Sequence, residues 1–244
     1  MIFKLHPKFI FKALLLFTLL LVVLHIVFVV GIRMSPFANS PSANNFNRLA
    51  KAFDLDYEEN VPALYSAAIL MFSSILLAFI AFKNKLLEVS WLPWAGLAAI
   101  MCFLSADEAM VLHEPVGQVV QSAFGISEAY YYVWAIPYSL AAGMFGLLYL
   151  KFLLKLPKET RILFFLSGII FVLGAAGFEL LGNLHVQTSG TKKTLFYQLL
   201  LVCEEFLEMF GVLVFIYALL QYITNQFGFF GLVVEDTISG VSWK

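Results

Sequence analysis

Charge is scarce in this chain. Only 13% of its 244 residues are Asp, Glu, Lys or Arg, against roughly 25% in an ordinary soluble domain, so a water-facing surface of normal polarity cannot be built. Fifteen basic residues against sixteen acidic ones give a net charge of -1, which leaves no basic surplus for nucleic acid. Cysteine is scarcer still. Cys102 and Cys203 both fall in apolar runs, which excludes a disulfide framework and places them as small buried apolar residues. No Walker A loop, Rossmann fingerprint or Gly-x-Ser-x-Gly elbow occurs, so ATP-driven transport by this chain alone is not expected. Internal repeats, long linkers and low-complexity tracts are also missing.

Apolar residues are what remains. The chain is 61% hydrophobic with 26 Phe and a mean hydropathy of +0.89. The fold class predicted from this is all-α, a polytopic transmembrane bundle forming one integral membrane domain over residues 1–244. A membrane helix needs ~20 mostly apolar residues. Six stretches qualify, near 10–32, 61–82, 91–113, 130–150, 162–183 and 195–222. The first is longer than a signal-peptide core and no small-x-small cleavage site follows it, so it reads as a retained span. Lys and Arg divide ten to five between the two sides these spans define. The richer side includes Lys151, Lys155, Lys158 and Arg161, which puts both termini in the cytoplasm. The expected location is a cell membrane, the bacterial inner membrane, with the lipid bilayer as the first partner.

Local signals refine the boundaries. Asn60 is placed to cap the second helix, with Pro62 in its first turn. Pro115 disfavours helix at the residue before it, so the third helix is predicted to end at His113 or Glu114. Residues 115–129 are too few to span, and lie on the outer surface or dip back in. Tyr130, Tyr131, Tyr132 and Trp134 form an interfacial belt, and Pro137 kinks the fourth helix. The acidic run FDLDYEEN closing the first outer loop reads as solvated.

Nine ionisable residues nevertheless lie in spanning stretches, in three clusters. Asp107, Glu108, His113 and Glu114 belong to LSADEAMVLHEP, Glu179 and His185 to GFELLGNLH, and Glu204, Glu205 and Glu208 to CEEFLEMFG. A charge in the bilayer core costs at least ~2.5–3.5 kcal/mol. By helical rise all three clusters fall in one outer layer. Asp107 and Glu114, seven apart, share a face of a regular helix, as do Glu204 and Glu208. Gly168, Ala175, Glu179 and Gly182 form a small-residue stripe that aims Glu179 at the bundle interior. Asp107, Glu114, Glu179, Glu204 and Glu208 are therefore the candidate ligands, with His113 and His185 at the rim. Glu108 and Glu205 read as interfacial, and His25 as a packing residue. Five carboxylates cannot all stay ionised in a low-dielectric pocket: a cation is bound or several are protonated. Carboxylate plus imidazole suits a divalent metal such as Fe, Mn or Zn. The Glu-x-x-His pairs of bundle di-metal sites and the zincin His-Glu-x-x-His are both missing.

FDLDYEENVPALYSA, LSADEAMVLHE and CEEFLEMFG, in that order, resemble segments of an uncharacterised group of bacterial multi-pass membrane proteins, over about two thirds of the chain. That resemblance implies a six-span fold and brings no activity. The chain departs from two families of membrane hydrolases. The late His-x-x-x-His of alkaline-ceramidase-like enzymes is missing, and Met209 stands where CAAX-type proteases carry the Arg of Glu-Glu-x-x-x-Arg. The function expected is a divalent-metal site facing outward, in an enzyme acting on a lipid-like substrate. The alternatives are a proton- or cation-coupled carrier or channel, and a non-catalytic assembly subunit.

Overall fold

The computed structural model describes residues 2–4, 6–31, 44–125, 135–228 and 231–233. The described chain is helical throughout its body. Helix α1 (Pro7–His25) starts with proline in its first turn and continues through a π-helical turn, Ile26–Val30. A short α2 (Asn44–Ala52) precedes α3 (Val61–Leu86), which Asn60 caps by accepting from the Ala63 amide at 3.2 Å. Helix α4 (Leu92–Met110) is followed by α5 (His113–Phe124), bent from it by 85°. Helix α6 (Ala135–Lys155) leads to α7 (Lys158–Val172), which passes through a π-helical segment, Leu173–Phe178, into α8 (Glu179–Ser189). The last helix, α9 (Leu195–Phe227), has 33 residues and is capped by Thr194. Two three-residue strands, β1 (Ile2–Lys4) and β2 (Gly231–Val233), pair antiparallel and bring both ends of the described chain to one end of the bundle.

Among the described residues four helices are long and apolar enough to cross a membrane, and the bent pair α4–α5 makes a fifth if it counts as one span. Their outward faces are apolar: Leu147 and Leu148 are 75% and 76% exposed, and Leu64, Phe82 and Ile169 also point away from the bundle. Contiguous apolar surface on this scale suits lipid rather than water. Cys102 and Cys203 lie exposed on this surface, not buried as the sequence suggests, because each falls on an outward helical face.

Helix α9 is the axis. Met209, Leu213, Ile216, Leu219, Leu220 and Ile223 are buried along it, against residues such as Leu21, Leu76, Leu77 and Ile80. Helices α1, α3 and α7 pack directly on α9, whereas α4 packs mainly on α3. Ser74 and Ser105 of that α3–α4 pair donate across to the Ala98 and Ala67 carbonyls at 2.8 and 2.7 Å. Polar side chains satisfied between helices in this way hold them together in an apolar medium. Near the chain termini Trp94, 2% exposed, is packed by the rings of Phe152, Phe164 and Tyr222.

One proline reading is corrected. Helix α4 ends at Met110, where Val111 takes a left-handed conformation with φ 55°, and Pro115 sits in the first turn of α5. A missing N–H does no harm there, since the first-turn amides have no helical acceptor. Pro137 likewise lies in the first described turn of α6, from Ala135. The aromatic belt at 130–134 lies outside the described residues.

Candidate carboxylate–histidine site

The bend after α4 is stapled by side chains. Asp107, buried in the last turn of α4, accepts from the Tyr138 hydroxyl at 3.0 Å. Its other oxygen lies 3.5 Å from His113 Nδ1, and His113 Nε2 lies 3.1 Å from Glu58 Oε1. An imidazole thus bridges a carboxylate of α4 and one from the segment before α3.

Glu179, Glu204, Glu205 and Glu208 are all half-buried. Glu204 is within electrostatic reach of Glu179, and Glu208 of both. Glu205 and Glu208 are also within electrostatic reach of Glu108 of α4. Glu108 and Glu205, half-buried with carboxylate neighbours, thus stand beside the cluster as well as fitting their reading as interfacial groups. Glu179 bonds the Asn183 side chain, with His113 and Lys192 as cationic neighbours. The close approach that assembles this layer is made by glycine. A Cβ at Gly174 would lie 2.8 Å from the Glu204 carbonyl and 2.9 Å from Glu208 Cγ, and one at Gly211 would lie 2.9 Å from Phe171 N. Any side chain at Gly174 would push α9 away from the π segment.

The predicted stripe needs correction for the same reason. A π turn inserts an extra residue and rotates everything after it, so Gly168, with nothing within 4 Å, is not at the contact, whereas Gly174 and Gly182 are. Asp107 and Glu114 do not share a face, because the left-handed Val111 and the bend intervene, and Glu114 is exposed on α5. His185 is engaged elsewhere. Its Nε2 lies 2.6 Å from the Thr194 hydroxyl, and its ring meets Phe196 edge-on. The structure thus brings together Asp107 with His113, and Glu179 with Glu204 and Glu208. Among the described residues, no three His, Cys, Asp or Glu side chains converge to hold one metal ion.

FDLDYEEN is not a solvated loop. Asp54 and Leu55 are buried, and Phe53 stacks on Phe28. The Leu55 amide donates to His25 Nδ1 at 3.1 Å, which leaves the ring proton of a neutral His25 on Nε2. Asp54 lies 3.6 Å from the same nitrogen. His25 is therefore the anchor of this segment as well as a buried packing residue. Asp56 accepts from the Tyr197 hydroxyl at 2.8 Å and from Lys192 Nζ at 3.0 Å. The signal in the sequence was slight, Leu55 set within an acidic run, because the segment is a turn closed by the Tyr57 amide on the Asp54 carbonyl at 3.2 Å and buries the adjacent Asp54 and Leu55 together.

A family model described as a domain of unknown function (DUF8692) matches residues 13–223. No curated protein and no solved structure matches the chain.

Proposed function

The chain belongs to the DUF8692 family, and we propose that it is an integral membrane protein of six spans whose outward-facing carboxylate–histidine layer binds a divalent cation. The observation that carries this is the charge imbalance of the layer. Five half-buried carboxylates, Glu108, Glu179, Glu204, Glu205 and Glu208, form a chain of electrostatic neighbours, and the basic groups beside them are His113 and Lys192. Oxygen and imidazole donors favour Fe, Mn or Zn. Glu204 and Glu208, one turn apart on α9, with Glu179 across the Gly174 contact, are the core ligands. Side-chain rotation draws them together, and Asp107 or His113 joins from the α4–α5 bend. Glu114 and His185 stay as outer members of the layer.

Helix α9 serves as the sixth span, enclosed by the others. The pairing of β1 with β2 supports both ends lying on one side, and the Lys/Arg split supports a cytoplasmic assignment for that side. Cysteines placed at Lys155 and Ser189 should accept an impermeant maleimide from opposite faces of the bacterial inner membrane. Labelling of both from one face would overturn the orientation.

A metal ion held by Glu179, Glu204 and Glu208 would supply Lewis-acid chemistry, polarising water towards a polar group of a lipid-like substrate from the outer leaflet. The reading as a carrier is disfavoured by the aromatic cluster of Trp94, Phe152, Phe164 and Tyr222, which fills the bundle towards the termini. Metal analysis tests the proposal: purified parent protein should hold divalent metal, and Glu204→Gln with Glu208→Gln should lose it. Equal and negligible metal in both would remove the ion from the account.

A further inference from the structure

Residues 53–60 attach to three separate parts of the bundle, and the attachments are graded. The innermost is permanent in character: His25 is fully buried and takes the Leu55 amide, with Leu55 itself buried. The outer two are wetter. Lys192, whose side chain is 50% exposed, and the Tyr197 hydroxyl hold Asp56, and His113 holds Glu58, whose side chain is 43% exposed. At the far end the segment turns through Glu59 at φ 58° into the Asn60 cap, whose amide also donates to the Asp54 carbonyl at 2.7 Å. An open cavity of about 320 Å³, lined by Val29, Lys51, Asp54, Asp56 and Tyr57, lies beside it. The segment is therefore pinned at one side, has room to move, and is clasped by groups that water already reaches.

Its charge makes the clasp necessary. Asp56 is within electrostatic reach of Glu204 and Glu205, and Glu58 of Glu108. A negative strap over a negative layer is repelled by it. The donors on Asp56 oppose that repulsion.

We propose that residues 53–60 are a releasable strap, clasped at Asp56 by Tyr197 and Lys192, that gates the approach of water and small cations to Glu205 and Glu208. This rests on the reading of that layer as an outward-facing cation site.

The full chain in lipid nanodiscs is treated with a water-soluble carbodiimide and an amine, and modification of Glu205 and Glu208 is followed by mass spectrometry. Lys192→Gln with Tyr197→Phe removes two hydrogen bonds to a charged group and should speed modification about tenfold or more. A second arm does not depend on those variants folding. With Cys102→Ser and Cys203→Ser, the pair Asp56→Cys and Lys192→Cys is bridged by a short bis-maleimide. The bridged protein should react about tenfold more slowly than the same protein unbridged, by the same reasoning. Equal rates in both arms would overturn the strap and show that the carboxylates are reached by another route. The reagent reports access and not ion binding. A chain that holds no metal yet shows both rate changes keeps the strap and loses the ion.

Discussion

Chelation near neutral pH is expected to lower the melting temperature of the parent protein, and Glu204→Gln with Glu208→Gln to abolish that response. The π segment forces the two carboxylates of α9 close to Glu179, because Gly174 lets the backbones meet. Without a cation this proximity carries repulsion and a desolvation penalty, relieved only by taking up protons. An ion that binds only the folded chain stabilises it by RT ln(1 + [L]/Kd), about 2.7 kcal/mol at a hundredfold excess over Kd. For a chain of this size that corresponds to roughly 5–10 °C. The double Gln variant has lost both the ion and the repulsion, so its metal-free form should melt above the metal-free parent. Differential scanning fluorimetry in detergent, with and without added Fe, Mn or Zn, separates these cases. A metal-free parent whose curve ignores both chelator and metal would sink the cation reading and leave a cluster satisfied by protons or by a partner subunit.

The second large effect belongs to the staple at the bend. His113→Leu leaves the buried Asp107 carboxylate facing Glu58 with an apolar group between them. Removing one partner of a buried charged pair costs about 3–5 kcal/mol. The exposure of Glu58 screens its share, so about 3 kcal/mol is expected. The Tyr138 hydroxyl remains on Asp107 and keeps the loss from growing. Asp107→Asn in the same chain removes the stranded charge and should recover much of the loss. Thermal melts of the two variants against the parent measure it. A His113→Leu protein that melts with the parent would mean that the bend is held by its backbone and apolar contacts alone.

Much of the architecture could be read from hydropathy because bilayer thickness imposes a length on each helix: the described part of each predicted span is largely helical, and four helices, or five with the bent pair, are long and apolar enough to cross a membrane. The Asn60 cap before Val-Pro was equally legible, and Thr194, which caps the last helix, is of the same chemical kind. Three features were not. Val111 is β-branched and takes a left-handed conformation that costs roughly 1–2 kcal/mol, so no local preference announces the break. The π segment LGAAGF has no signature of its own; it follows from how closely Gly174 must approach α9, which is a tertiary demand. The strap was hidden by its charge, since acidic residues near a membrane surface usually face water, and Leu55 alone hints that this run does not. Within the candidate site, depth along the helices was legible and direction around them was not. The departures have local reasons: Glu114 lies beyond a bend, His185 has a hydroxyl partner, and Glu108 and Glu205 are half-buried among other carboxylates.

The place of α9 bears on the order of events during synthesis. The helix on which α1, α3 and α7 all pack is the last of the described helices to leave the ribosome. The earlier helices can be threaded into lipid one at a time, since each satisfies its own backbone. Until Leu195–Phe227 follows, however, they have no common surface to close on, and Asp56 lacks its tyrosine. Consolidation of the bundle is therefore a single late event triggered by the final helix, and a nascent chain halted before it is a set of loosely associated segments that the cell can distinguish from the finished protein.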